Sequence, residues 1–209
     1  QKDESHSTGL RCWKKLFTTT YIPPQEERII LAGRRGESFL KTYISSHEKF
    51  KSSHVFPSRR LNNLDGKGRK EIDMIIVTDR KIYVIECKNW SGELHINGDS
   101  WVHTNIIRGN QTVTNKYDAA SNPVNLNRKK AQLLHSTLWL NGFLVEEDDI
   151  VSKVILMNKN LTVHAQSEGL PDLILFQDLD PYLSQQDTQI QTSLTERIIL
   201  SILNLCLDE

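Results

Sequence analysis

Two short runs, Glu71–Thr78 and Lys81–Lys88, meet across the dipeptide Asp79-Arg80, and no other feature restricts the fold of this chain as strongly. Both runs are rich in Ile, Val, Met or Tyr, residues that suit a pleated and buried surface. Separated by only two residues, they predict an antiparallel hairpin. Its register follows by counting outward from the turn. Thr78 pairs with Lys81, and Asp73 falls opposite Glu86, with Cβ atoms about 4.5–5.5 Å apart. Because side chains alternate along a strand, Glu86 and Lys88 share a face and Cys87 points to the opposite, buried one. Ile75, Val77, Ile82 and Val84 continue the Asp73–Glu86–Lys88 face as core.

The flanking sequence supplies the rest of a mixed α/β pattern. Apolar positions Ile29, Ile30, Ala32, Phe39, Leu40 and Ile44 suit a helix from Glu26 to about Ser46, with Gly33 and Gly36 as points where it could break. A short strand is expected over Ser53–Pro57, then a basic loop over Arg59–Lys70 that turns at Asp65-Gly66-Lys67-Gly68. Gly92–Ile96 and Trp101–Ile106 read as a second hairpin across Asn97-Gly98-Asp99. A helix should run from Pro123 to about Leu140, with proline at its first turn and Gly142 just beyond its end. Strands follow at Val151–Met157 and Leu173–Phe176, and an amphipathic helix at Thr195–Leu207. The expected fold is therefore a mixed central β-sheet flanked by helices. Residues 1–24 read as a leader or linker, residues 25–145 as the core, and residues 146–209 as a C-terminal strand-helix extension packed on the same domain.

Composition narrows the function classes. The 209 residues are 38% hydrophobic and 25% charged, enough to bury a core, with ordinary Gly and Pro content. No apolar run approaches the roughly 20 residues of a membrane span, so this segment is expected to make no membrane contact. Net charge is zero but divided: residues 1–145 carry 23 Lys and Arg against 14 Asp and Glu, residues 146–209 only 3 against 12. A basic body favours a polyanionic partner. Cys12, Cys87 and Cys206 are too few and too scattered for a disulfide framework or a zinc site, and thiols favour an intracellular compartment. The three Asn-x-Ser/Thr sequons at Asn89, Asn110 and Asn160 matter only in a secreted protein. A chain that opens at Gln1 is compatible with an upstream targeting or membrane segment.

Two carboxylates facing each other on buried strands repel, and one would tend to take up a proton. A divalent cation relieves the conflict, since Mg²⁺ takes oxygen ligands from one or two carboxylates. The lysine two residues on can orient a water or offset phosphate charge. The plain alternative is a cross-strand ion pair, with Lys88 neutralising Glu86.

The segments Gly36-Glu37, Glu71-Ile72-Asp73, Val84-Ile85-Glu86-Cys87-Lys88-Asn89-Trp90-Ser91-Gly92, Trp101 and Asn122-Pro123 together resemble the nuclease-related domain (NERD) family. That family is placed in the PD-(D/E)xK, restriction-endonuclease-like superfamily. The resemblance covers about residues 30–140 in order and is most specific at Glu-Cys-Lys-Asn-Trp-Ser-Gly. It implies Asp73 and Glu86 as metal ligands, Lys88 as catalytic lysine and Glu37 as an assisting acid. It further implies Mg²⁺- or Mn²⁺-dependent hydrolysis of phosphodiester bonds in nucleic acid, with DNA favoured over RNA. Asn89, Trp90 and Gly92 are expected to shape the exit of the strand. The family carries a Gln shortly after the Asn-Pro pair, where this chain has Leu126, with Asn125 as the nearest amide. A catalytically inactive module that binds nucleic acid or protein through the same fold is the rival reading.

Further candidates are basic. Arg59, Arg60, Lys67, Arg69 and Lys70 precede the Asp73 strand and could follow a phosphate backbone. Arg128, Lys129 and Lys130 open the second helix, where they oppose its dipole, which suggests anion contact. Trp101 and Trp139 are expected in the core, and the dispersed histidines, His95 and His103 among them, are expected to be structural. There is no nucleophile elbow, Walker loop or Gly-x-Gly-x-x-Gly.

Overall fold

A computed structural model describes residues 25–50, 53–78, 80–107, 111–165, 170–185, 198, 202 and 207–208. The expected leader and most of the expected Thr195–Leu207 helix lie outside these residues. Ile198 and Ile202 are helical and buried, whereas Leu207 belongs to a short strand, β10 (Leu207–Asp208).

The hairpin forms in the counted register. Strands β2 (Arg69–Val77) and β3 (Ile82–Lys88) pair Val77 with Ile82, Ile75 with Val84 and Met74 with Ile85. Within β3 every residue but Lys88 is buried, as a central strand covered on both faces requires. Around it the order is β10-β1-β2-β3-β7-β9, with β1 (His54–Asn62) antiparallel to β2, and β7 (Ile150–Leu156) parallel to both β3 and β9 (Leu173–Leu175). The parallel β3–β7 pair needs a long crossover. This crossover carries β4 (Gly92–Asn97), β5 (Ser100–Ile107), β6 (Gln111–Tyr117) and the helix α2 (Pro123–Leu140). A second sheet, ordered β6-β5-β4-β8, is completed by β8 (Leu161–Ala165). The mixed α/β architecture is thus present, with two mixed sheets where one was expected. Polar β6 lacks the apolar alternation that would mark it in sequence, and β8, although it alternates through Leu161, Val163 and Ala165, is only five residues long.

Helix α2 covers one face of the large sheet through Ala131, Leu134 and Leu138, packed on Ile75, Val77, Ile82 and Val84. Helix α1 (Gln25–Ser46) covers the other through Leu40 and Ile44, which meet Met74, Ile76, Tyr83 and Ile85. The short α3 (Leu179–Gln185) adds Leu179 and Leu183 to that side. α1 runs unbroken past Gly33 and Gly36. Gly36 is buried against β3: a Cβ there would lie 3.2 Å from the Asn89 Cβ and 3.5 Å from the Cys87 sulfur. Its small size lets the helix approach the sheet rather than marking a break.

Three expectations need correction. β1 extends to Asn62 and β2 begins at Arg69, so Arg59, Arg60, Arg69 and Lys70 are strand residues, and the loop shrinks to residues 63–68. Trp139 is 60% exposed rather than core, because it lies off the buried stripe Val124, Asn127, Ala131, Leu134 and Leu138. Trp101 is buried, as expected, with Leu94, Ile96 and Leu156. Third, strict alternation fails upstream of Asp73. Ser58 has φ +47°, and the β1–β2 ladder pairs Pro57 with Met74 and Arg59 with Ile72 but skips Ser58 and Asp73. Phe56 and Leu61 consequently reach the same core, as do Ile72 and Ile75, although the members of each pair are offset by an odd number of positions.

Gly92 starts β4 at φ +94°, and a Cβ there would lie 2.2 Å from the Thr104 carbonyl oxygen. Gly92→Ala should therefore cost about 1–3 kcal/mol through backbone strain alone, read as a lower urea midpoint. An unchanged midpoint would show that the backbone at residue 92 relaxes out of its positive φ without loss.

A candidate active site on β2 and β3

Asp73 sits at the paired irregularity opposite Ser58, one residue beyond the regular β2–β3 ladder. There the Cys87 N–H donates to Asp73 Oδ2 at 2.8 Å, so a carboxylate takes the place of a main-chain acceptor. Glu86, 8% exposed, projects on the α2 side of the sheet. Lys88 Nζ donates to Glu86 Oε1 at 2.5 Å, and Lys130 Nζ from α2 donates to Oε2 at 2.5 Å. Two ammonium groups thus clamp one buried carboxylate, the charge-assisted arrangement that such a carboxylate requires.

The electrostatics divide the two acids. Burial, then the Glu86 charge, pushes the Asp73 carboxyl up to about 7, against the Cys87 N–H and the lysines. Burial also opposes ionisation of Glu86, but Lys88 and Lys130 together hold it below the ordinary carboxylate range. Burial works against the Lys88 charge as well, yet Glu86 raises its pKa. The site therefore holds a firmly ionised Glu86 and an Asp73 whose charge awaits compensation. Two oxygen-donor carboxylates of this kind suit a hard divalent cation such as Mg²⁺ or Mn²⁺.

Other expected residues fall around this centre to different degrees. Glu37 is half-buried on α1 beside Gly36, and its charge helps raise the Cys87 thiol, after burial and Asp73. Cys87 is a buried free thiol on the α1 side. Asn89 Nδ2 donates to the Ala32 carbonyl at 2.8 Å, tying α1 to the end of β3. Trp90 stacks on His103 and Tyr117 at centroid distances of 4.7 and 5.4 Å, and His103 Nε2 lies 2.8 Å from the Ser91 carbonyl oxygen. These residues shape the exit of β3, and His103 is a buried structural histidine. Lys67, Arg69 and Lys70 are exposed at the β1–β2 turn. Arg59 lies over the Phe56 ring at 5.6 Å, and Arg60 is 3.9 Å from Glu71.

The basic cluster on α2 splits three ways. Arg128 pairs with Asp172 at 2.6 Å, Lys129 is exposed, and Lys130 reaches Glu86. Leu126 is 41% exposed, and the Asn125 amide donates to Asp99 Oδ1 and the Ala119 carbonyl, both at 2.9 Å, bracing the second hairpin. The amide that does organise the site was not singled out from sequence. Asn127, fully buried, donates through Nδ2 to Val84 O at 2.9 Å and to Ser152 Oγ and Lys153 O at 3.0 Å. It locks α2 onto β3 and β7, and Lys130, three residues on, shares its side of the helix. The available signal was an asparagine in the apolar stripe of α2, where a polar group must find buried partners.

A family model described as nuclease-related domain matches residues 32–157, from α1 through the end of β7. No curated protein matches the chain. Among the described residues, no helix is long and apolar enough to cross a membrane.

Proposed function

The chain belongs to the nuclease-related domain family, and from that membership we propose that it is a divalent-metal-dependent nuclease that hydrolyses phosphodiester bonds of nucleic acid, DNA in preference to RNA. The observation that carries this reading is the gathering of both acids and the lysine just past the Met74–Ile85 pair, where the Cys87 N–H donates to Asp73 and Lys88 donates to Glu86. Asp73 and Glu86 would hold Mg²⁺ or Mn²⁺, with Glu37 assisting from α1. Such an ion supplies Lewis-acid polarisation of the phosphoryl oxygen and charge neutralisation.

The chain's own residues set the rest. Hydrolysis forms one P–O bond from water and breaks one ester P–O bond, so negative charge grows on the phosphoryl and leaving oxygens. Lys88, protonated beside Glu86, can donate to a phosphoryl oxygen or orient the incoming water. The Cys87 N–H keeps the Asp73 carboxylate aimed while its other oxygen remains for a ligand. Exposed Lys67, Arg69, Lys70 and Lys129 would contact backbone phosphates, which positions a strand without reading its sequence. Arg59, Arg60, Arg128 and Lys130 belong to the same basic set, although Arg128 and Lys130 also serve internal carboxylates.

The test is cleavage of labelled single- and double-stranded DNA and RNA in Mg²⁺, Mn²⁺ or EDTA, with Lys88→Ala beside the wild type. Metal-dependent cleavage of DNA that drops on the order of 10²-fold or more in Lys88→Ala supports the assignment. Binding without cleavage under every metal would replace it with the inactive binding module.

A further inference from the structure

A second group of metal-ligating side chains stands on the smaller sheet, on strands other than β2 and β3. Along β4, Leu94 and Ile96 are buried, so Glu93 and His95 project together from the outer face. β8 runs parallel beside β4, and the register places His164 directly opposite His95, with Thr162 opposite Glu93. The two imidazoles are stacked with centroids 4.4 Å apart at 11°, and Glu93 Oε2 is 3.4 Å from His95 Nε2. One donor atom from each of the three residues lies within 4.8 Å of the others.

We propose that Glu93, His95 and His164 form a zinc site that ties the edge strand β8 to β4. Two imidazoles and one carboxylate are a donor set for Zn²⁺ with a fourth position left open. Ligands about 2.0–2.1 Å from a tetrahedral ion sit about 3.4 Å from one another. The Glu93–His95 pair already has that separation, and the His164 donor atom lies within 4.8 Å of both. The strands fix the Cβ positions, which limits the conformational cost of assembling three ligands. A shallow cavity of about 300 Å³, lined by His95, His164, Ile96, Val102 and Ala165, leaves room beside the ligands for a water or an external group. Nitrogen donors separate this site from the all-carboxylate pair at Asp73 and Glu86, which suits a harder ion.

The full chain titrated with Zn²⁺ in excess Mg²⁺, by calorimetry and through the visible bands of Co²⁺ as a stand-in, tests the assignment. One Zn²⁺ per chain, tetrahedral Co²⁺ bands displaced by Zn²⁺, and a zinc-induced rise in melting temperature are expected. Asp73→Asn should leave all three readouts unchanged, so the outcome is independent of the nuclease assignment. His95→Ala and His164→Ala, both at exposed positions, should each weaken Zn²⁺ at least about tenfold and keep the metal-free far-UV spectrum. Absence of saturable Zn²⁺ binding, or binding that survives both substitutions, would overturn the proposal.

Discussion

Asp73→Asn should abolish cleavage, by on the order of 10³-fold or more, and at the same time make the metal-free protein more stable at pH 8. Loss of a hard oxygen ligand accounts for the first effect. The second follows from the Asp73 carboxyl, pushed up to about 7 by burial and by the Glu86 charge. A carboxyl with a folded pKa above its unfolded value favours the native state while it is protonated. Its contribution is therefore full below about pH 4 and is lost as pH rises through about 7, a change on the order of 2–4 kcal/mol. Asparagine keeps an acceptor for the Cys87 N–H and removes the charge. Urea midpoints measured in EDTA from pH 5 to pH 8 should fall for the wild type and stay nearly level for Asp73→Asn. Mg²⁺ should raise the wild-type midpoint at pH 8 and leave the variant unchanged. Parallel pH profiles for the two proteins would mean that Asp73 ionises without strain, and the electrostatic account of the site would fail.

Replacing both Lys88 and Lys130 by Met is expected to destabilise the fold by about 3–5 kcal/mol at neutral pH, since it leaves Glu86 buried without a compensating charge. Most of that loss should return when Glu86→Gln is added, because the uncompensated charge rather than the lost packing is the cost. Denaturant unfolding of the double and triple variants separates the two contributions. Failure of Glu86→Gln to rescue would show that the uncompensated Glu86 charge is not the cost. The sign of the Glu86 effect is opposite to that of Asp73. Held below its ordinary pKa, Glu86 stabilises the native state at neutral pH and loses that contribution on acidification.

The predicted geometry that succeeded was local. The β2–β3 register needs only a two-residue connection and period-2 alternation, and the ladder follows it from Val77–Ile82 to Met74–Ile85, one residue short of Asp73 and Glu86. The helix Pro123–Leu140 was likewise marked at both ends, by Asn122-Pro123 and by Gly142, and forms with those bounds. In β6 the alternation that would reveal a strand is absent, and in β8 it spans only five residues. At Gly36, intrinsic propensity suggested a break, but packing against Cys87 and Asn89 holds the helix together.

The sequence by itself determined the β2–β3 pairing that carries Asp73, Glu86 and Lys88 on one hairpin, because that register is a local property. Only the tertiary structure decided which cation completes the site. Lys130 lies 44 residues from Glu86 and meets it because Asn127 anchors α2 across β3 and β7. His95 and His164 are joined the same way, by a parallel pairing of β4 with β8 that no local pattern announces. The kink at Ser58 and Asp73 also belongs to this class, since it requires two strands to lose alternation at the same rung. Short-range periodicity carries the first kind of information; the second is created when distant elements pack.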